Sequence, residues 1–555
     1  MDEQSVFITG AAGEGIQTIG DVVARAFLAH GYPVFAVQEY ESRIRGGHSS
    51  HRLRIAAEPA NAPRRDADVL LALNPEARNH YAPDLRAGGT LVAAEATDEQ
   101  TIVVPFRDLA VEHGGTGLYA NAVAAGALAA VLGLPIDIIV RTLTAAVARH
   151  GGAAAAGNVS AAEAGFEVAM TALAERAPKP LPRRKNVYAF VSAHDVIPLA
   201  AAAAGCRFMS AYPMSPSTGI VTAFARDPEL GVFVEQAEDE IAAIEMALGA
   251  SAAGARAMTA TSGGGFALMV ESISLAGMIE TPIVVVLGQR PGPATGLPTR
   301  TAQEDLLFAI HAGHGETPRL VLAPADPQDA IQKTLRAFDL ADRYQIPAIV
   351  LSDQFLADSR FSLPSLSLPS EIPDAHLADP NAIEGEYRRY ALTEDGVSPR
   401  LYLGQANNLV YLDSDEHTEE GHITEDVRSV RPSMVEKRLE KGRRLRGEMA
   451  QPSHHRDEDA ETILLGWGST KGAIDEAVAR LRRAGRRVGA LHFTELWPLP
   501  EIAWRDDVDY WTVEGNATGQ LARLLGSDSG LRIEGRVGRY DGLPLDAATI
   551  VEALA

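Results

Sequence analysis

Short β-rich runs that end in glycine and open into helix-spaced apolar positions recur along this chain. SVFITG runs into GAAGEGIQTIGDVVARAFLAHG, TATS into GGGFALM, and ETILLGWG into TKGAIDEAVARLRRAG. This alternation predicts layered α/β domains with mostly parallel sheets, because a parallel strand pair needs a crossover long enough to hold a helix. At 555 residues there is room for roughly three or four such domains.

The alternation is interrupted twice. RAPKPLPRRK, residues 176–185, is Pro-rich, basic and extended, and reads as a linker after a first domain over residues 1–175. A second α/β domain follows over 186–360. FSLPSLSLPSEIPDAHLADP then opens a polar excursion, 361–460, expected to hold one solvated helix and no large core of its own. Strand–helix–strand order returns over 461–555 as a third domain. The expected fold class is therefore three layered α/β domains.

Fifty Lys and Arg against seventy-three Asp and Glu leave a formal charge of −23. An acidic balance argues against broad nucleic-acid or anionic-membrane binding, both of which need a basic face. A single cysteine, Cys206, rules out an internal disulfide framework, a Cys-ligated zinc and an iron–sulfur cluster held by this chain alone. MDEQSVFITG has neither the basic start nor the apolar core of a signal peptide. The most membrane-like run, Ala120 to Val140, is broken by Gly133, Pro135 and Asp137 and reads as two buried helices. A cytoplasmic protein is expected. His417, His422, His454 and His455 lie at irregular spacing in charged stretches, and solvated surface is expected there rather than a metal site.

Several loops carry residues suited to ligands. The glycines of GAAGEGIQTIG, Gly10 to Gly20, allow close approach to a phosphate at a helix start, or simply tight packing. SRIRGGHSS sets Arg43, Arg45, Gly46, Gly47 and His48 together, either as an anion patch or as surface ion pairs. YPMSPST, Tyr212 to Thr218, is stiffened by two prolines around small hydroxyl residues, of which Ser217 or Thr218 could instead cap the next helix. In VEQAEDEIAAIEMALG, Glu240 leads an Ala-lined stretch, where a poorly solvated carboxyl holds a proton or pairs with a nitrogen base. GQRPGPATGLPTRTAQEDL, Gly288 to Leu306, is long for a compact domain and carries Arg290 and Arg300, whose forks suit a carboxylate or phosphate.

Together these loops resemble the 2-oxoacid:ferredoxin oxidoreductases, in particular the fused γ–α large subunit of the 2-oxoglutarate type. The family's YPITPS is here YPMSPS, EDEIAAI stands unchanged at Glu238 to Ile244, TSGPGF is TSGGGF, and QRGGPSTGLPTKTEQGDL is QRPGPATGLPTRTAQEDL. DEHTEEG, GWGSTKGAI and VEGNATGQLARLL match its later segments in order. Ser215, Gly264 and Arg300 replace Thr, Pro and Lys of the family pattern.

The resemblance implies an N-terminal γ domain, a thiamine pyrimidine-binding domain and a transketolase-C-like C-terminal domain. It implies oxidative decarboxylation of 2-oxoglutarate to succinyl-CoA and CO2 with reduction of ferredoxin, or the reverse. A pyruvate or broad 2-oxoacid enzyme is the alternative, and a non-catalytic nucleotide-binding scaffold a remote one. Glu240, Arg290 and Ser215 are then catalytic, with Glu240 hydrogen-bonding N1′ of thiamine diphosphate. Ser215, Pro213, Met214, Gly264 and Phe266 join Glu240 around the cofactor. Arg290, Ser215, Arg300 and Thr295 face the substrate, and Arg43, Arg45, Gly46 and Gly47 face coenzyme A. The chain has no GDG tripeptide. The resemblance therefore puts that motif, Mg2+ and a [4Fe-4S] cluster on a β subunit, probably the expected partner of an (αβ)2 assembly, with no metal on this chain.

Overall fold

The structure is a computed structural model that describes residues 3–42, 46–98, 101–147, 152–383, 385–405 and 409–555. It parts into two compact units. The first holds the residues up to Val191 together with Ser359–Leu366 and Asp546–Ala548, and the second holds the rest.

The first unit contains β1 (Gln4–Ala12), β2 (Val34–Glu39), β3 (Gly46–Ile55), β4 (Ala67–Ala72), β5 (Leu85–Ala93) and β6 (Ile102–Val103), in the order β2-β3-β1-β4-β5-β6. β1, β4, β5 and β6 pair in parallel, as the alternation predicts. β2 and β3, and β3 and β1, are antiparallel. The stretch joining β2 to β3 is too short for a crossover helix, so those strands must return on themselves.

The run Ala120 to Val140 folds as two helices, Ala120–Leu132 and Ile136–Val147, parted by Gly133 at φ +70°. Its small residues serve a helix seam. A Cβ on Gly126 would stand 1.9 Å from the Ala162 carbonyl oxygen, and one on Gly165 2.2 Å from that of Val123. Among the described residues no helix is long and apolar enough to cross a membrane. The Pro-rich stretch after residue 176 is bound to this unit. Leu181 donates its N–H to the Gly133 carbonyl at 2.8 Å, Arg184 to that of His30 at 3.0 Å, and the Tyr32 hydroxyl donates to the Pro182 carbonyl at 3.0 Å. It leads to β7 (Ala189–Val191).

The second unit begins with β8 (Cys206–Ala211), β9 (Phe233–Gln236), β10 (Arg256–Ser262), β11 (Ile283–Gln289), β12 (Leu320–Leu322) and β13 (Pro347–Asp353), all paired in parallel. β14 (Phe361–Leu363) then pairs with β7 in the first unit. After the excursion come β15 (Ser453–His455), β16 (Thr462–Trp467), β17 (Val488–Phe493), β18 (Glu495–Trp497), β19 (Asp509–Glu514) and β20 (Gly535–Gly538). Five of these make a second sheet, β15-β17-β16-β19-β20, antiparallel only at β15.

β18 leaves that sheet and joins β12 antiparallel, giving the order β18-β12-β13-β11-β10-β8-β9. One core runs through both sheets, from Ile244 and Leu287 to Trp467, Phe493 and Leu525. The boundary expected at residue 461 therefore separates two sheets but not two compact units.

The excursion departs from expectation in its charges. The helix Val430–Glu448 is not solvated all round: it buries Met434, Lys437, Arg438, Lys441 and Leu445. His417, expected at the surface, is wholly buried. Its Nδ1 lies 2.9 Å from the Asp415 carbonyl and its ring 3.8 Å from that of Tyr390. Charged side chains turn inward here because buried partners await them; Glu280 accepts from Lys437 Nζ at 2.6 Å.

Candidate active site

Four loops meet at the C-terminal ends of parallel strands, where ligands of open α/β sheets bind. They follow β8 (Tyr212–Thr218), β9 (up to Glu240), β10 (Gly263–Gly265) and β11 (Arg290–Asp305). Asp239 caps the helix Glu240–Ala252 by accepting the Ala242 N–H at 2.7 Å, which fixes Glu240 as its first residue. Glu240 is 3% exposed, and its Oε1 is buried with no hydrogen-bond partner.

A Cβ on Gly265 would stand 2.5 Å from that oxygen and 2.2 Å from Thr261 Oγ1. The third glycine of TSGGGF is therefore what lets the carboxyl lie under the loop. Ser217 Oγ donates to the Thr261 carbonyl instead of capping its own helix, and a Cβ on Gly288 would stand 2.7 Å from that Oγ. This buried hydroxyl ties the proline loop to β10 and β11.

Arg290 and Ser215 are brought together, through the backbone. Arg290 Nη1 donates to the Ser215 carbonyl at 2.6 Å. The arginine loop folds on itself: Glu304 Oε2 accepts the Gly292 N–H at 2.9 Å, and Leu297 donates its N–H to the Pro291 carbonyl at 3.0 Å. Asp305 lies against the glycine loop, its Oδ2 2.8 Å from where a Cβ on Gly263 would stand. Its backbone N–H donates to Gln289 Oε1 at 3.0 Å. Burial pushes the Asp305 carboxyl up to about 6, Glu304 adds to the rise and Arg290 opposes it.

The remaining candidates are placed less uniformly. Pro213, Ser215 and Gly264 are exposed at the loops, and Met214 is partly buried beside them. Phe266 is wholly buried, its ring 5.2 Å from that of Phe308, so its side chain belongs to the core. Thr295 is exposed on the arginine loop. Arg300 sits where that loop meets another: its Cβ is 3.1 Å from where a Cβ on Gly542 would stand, and Thr301 donates its N–H to the Gly542 carbonyl. Arg43 and Arg45 lie outside the described residues, while Gly46 and Gly47 open β3 at φ +77° and +72°. In the glycine loop of the first unit, the Glu14 carboxylate takes the Ala11 N–H at 2.7 Å and Asn74 Nδ2 at 2.6 Å. Among the described residues no group of His, Cys, Asp and Glu could hold a metal ion.

Sequence reasoning missed Asp305, Gly265, Thr261 and Ser217 as parts of this site. The third glycine of the triplet was the available signal for Gly265. Asp305 had none, since it looks like any acid beside Glu304.

Residues 199–437 match the family described as pyruvate flavodoxin/ferredoxin oxidoreductase, thiamine diphosphate-binding, and residues 5–168 match pyruvate ferredoxin/flavodoxin oxidoreductase. The thiamine diphosphate-binding domain thus coincides with the part of the chain that holds Glu240 and Arg290. The chain is 32% identical to the alpha subunit of 2-oxoacid:ferredoxin oxidoreductase 2 of Aeropyrum pernix, over 100% of this chain and 97% of that relative. It is 33% identical to 2-oxoglutarate synthase subunit KorA of Methanothermobacter thermautotrophicus, over 57% of this chain and 83% of that one. A solved structure of the 2-oxoglutarate:ferredoxin oxidoreductase from Magnetococcus marinus, with 2-oxoglutarate, coenzyme A and succinyl-CoA bound, superposes with a TM-score of 0.92 at 31% identity, covering 100% of this chain and 99% of that one. From the orphaned Glu240 oxygen to the full-length likeness, the observations agree: the chain belongs to the 2-oxoacid:ferredoxin oxidoreductases, as an alpha subunit.

Proposed function

We propose that this chain is the α subunit of a 2-oxoglutarate:ferredoxin oxidoreductase, active only beside a β subunit. The observation that carries the catalytic reading is the buried, partnerless Oε1 of Glu240. A buried polar atom without a partner costs about 1–3 kcal/mol, and the ring nitrogen of an aminopyrimidine is a group that would complete it. The residues present therefore fit thiamine diphosphate. When bound, that cofactor supplies the nucleophilic carbon and the electron sink on which 2-oxoacid decarboxylation depends.

The chain's own residues do the rest. Glu240 holds a proton at Oε1 against the ring nitrogen, and burial keeps that proton from water. Gly265 keeps the path to the oxygen open. Arg290, anchored on the Ser215 carbonyl, offers its other N–H groups to the substrate carboxylate, with the Ser215 hydroxyl beside it. Asp305 holds Arg290 from the other side of the loop.

The GDG motif, Mg2+ and the [4Fe-4S] cluster are assigned to the β subunit of an (αβ)2 assembly that passes electrons to ferredoxin. A single cysteine supports that division. The assembly is assigned to the cytoplasm. Coenzyme A is assigned to the first unit, beside Gly46 and Gly47 and with Arg43 and Arg45 as contacts. A cavity of about 570 Å³ there, lined by Gly13, Gly15, Gln17, Ser49 and His51, supports this reading.

2-Oxoglutarate is favoured by the names of two of the relatives and by Arg300 as a second cation for its far carboxylate. The packing of Arg300 beside Gly542 favours a second reading, in which Arg300 anchors its loop and the enzyme takes pyruvate or 2-oxoacids broadly. Co-purify the chain with its β subunit and assay 2-oxoacids with coenzyme A and a viologen dye. In that complex Arg300→Ala should lose activity on 2-oxoglutarate and keep it on pyruvate; an equal loss on both acids overturns the substrate assignment. Robust turnover by the chain alone overturns the division of labour.

A further inference from the structure

Five cationic side chains are buried in contact with one another's fields in the second unit: Arg256, Arg389, Arg400, Lys437 and Lys441. Among the described residues, two carboxylates answer them. Asp342 accepts from Arg256 Nε at 2.5 Å and from Arg400 Nη2 at 2.9 Å. Glu280 accepts from Lys437 at 2.6 and 2.7 Å and from Lys441. Burial and its cationic neighbours push Lys441 down to about 7, which relieves at most one charge. At least two positive charges remain without a counter-charge in an interior where each is costly.

The deficit is concentrated at Arg389 and Arg400. Arg389, 2% exposed, donates only to neutral oxygens: Gln345 Oε1 at 2.8 Å and the carbonyls of Ile279 at 3.4 Å and Glu280 at 2.6 Å. Arg400, 6% exposed, has a buried Nε with no partner. Both line a cavity of about 10 Å³, together with Ser251, Thr281, Leu401 and Tyr402. That is room for about one small sphere, which excludes a carboxylate or phosphate.

We propose that a single monatomic anion, chloride under ordinary conditions, occupies the cavity between Arg389 and Arg400. A water molecule could accept the Arg400 Nε–H but would leave the charge unanswered. A halide does both, and it ties Arg389 and Arg400 of the polar excursion to Ser251 and Thr281 of the domain that carries Glu240.

Bromide is the probe. The purified full chain is crystallised from bromide, and its thermal midpoint is compared in bromide, chloride and gluconate at equal ionic strength. Expected are an anomalous peak between the two arginines and a midpoint at least about 2 °C higher in either halide, saturating with concentration as binding to the native state requires. Arg400→Gln should abolish both the peak and the halide dependence, and the wild-type comparison stands on its own if that variant does not fold. A water at the position with equal midpoints in halide and gluconate overturns the proposal. So does a peak seen only at molar bromide with no saturable stabilisation.

Discussion

Glu240 and Glu280 are both buried glutamates of the second unit, and they are buried in opposite company. Glu280 begins from the same handicap, since burial raises a carboxyl, yet Lys437, Lys441 and Arg389 hold it far below the ordinary carboxylate range. Both of its oxygens accept from lysine. Glu240 has no such neighbours: one oxygen is left with nothing to accept from or donate to. A folded chain keeps a saturated carboxylate for its architecture, and an orphaned one where something from outside completes it.

The sharpest way to break this contrast is Glu280→Gln, which strips the counter-charge from two buried lysines. The loss should be about 3–5 kcal/mol, read as a lower urea midpoint at an unchanged slope. A loss under about 1 kcal/mol would make the cluster incidental. Glu240→Gln should do the reverse: the urea midpoint stays, while kcat of the complex with its partner falls about 10²-fold or more. Asp239→Asn supplies the control, because Asn caps a helix as well as Asp. Equal losses at both positions would reduce Glu240 to a helix-start acid.

Arg290→Ala should lower kcat/KM by roughly 30-fold or more, with Arg290→Lys recovering only part, since a point charge cannot replace the fork. An unchanged kcat/KM removes Arg290 from the site. The smallest effect is a slope. Asp353, buried and bonded to Ser469 Oγ and the Leu356 N–H, is pushed up to about 6 by burial. A raised carboxyl stabilises the fold fully below its unfolded value, and that contribution is lost as the pH rises through about 6. Stability should therefore fall by about 1 kcal/mol from this group between pH 5 and pH 7. Asp353→Asn should flatten that decline in urea titrations at the two pH values.

Much of the fold was legible because strand, glycine and helix alternate on a length scale the sequence displays. The antiparallel half of the first sheet was not, because a turn after Glu39 and a crossover begin with the same polar residues. Glu240 was legible as the acid that leads an apolar stretch. The burial of Lys437 was hidden for a different reason: its partner Glu280 lies 157 residues away, and a run such as VEKRLEKGRRLRGE reads as solvated until that partner is known. Asp305 was hidden likewise, since Gly263, which packs on it, belongs to another loop.

The excursion of β18 into the neighbouring sheet has a bearing on how this chain could be shortened. β18 covers the free edge of β12, and its Glu495 accepts from Lys333 at 2.8 Å and Arg336 at 2.7 Å as well as the Ala450 N–H. A chain cut before Glu461 would lose all of these at once and uncover a row of unpaired backbone groups on β12. Bare edges of that kind recruit strands from other molecules. The truncated protein should therefore be recovered mainly as aggregate, and the last hundred residues serve as a guard on the catalytic sheet as much as a domain beside it.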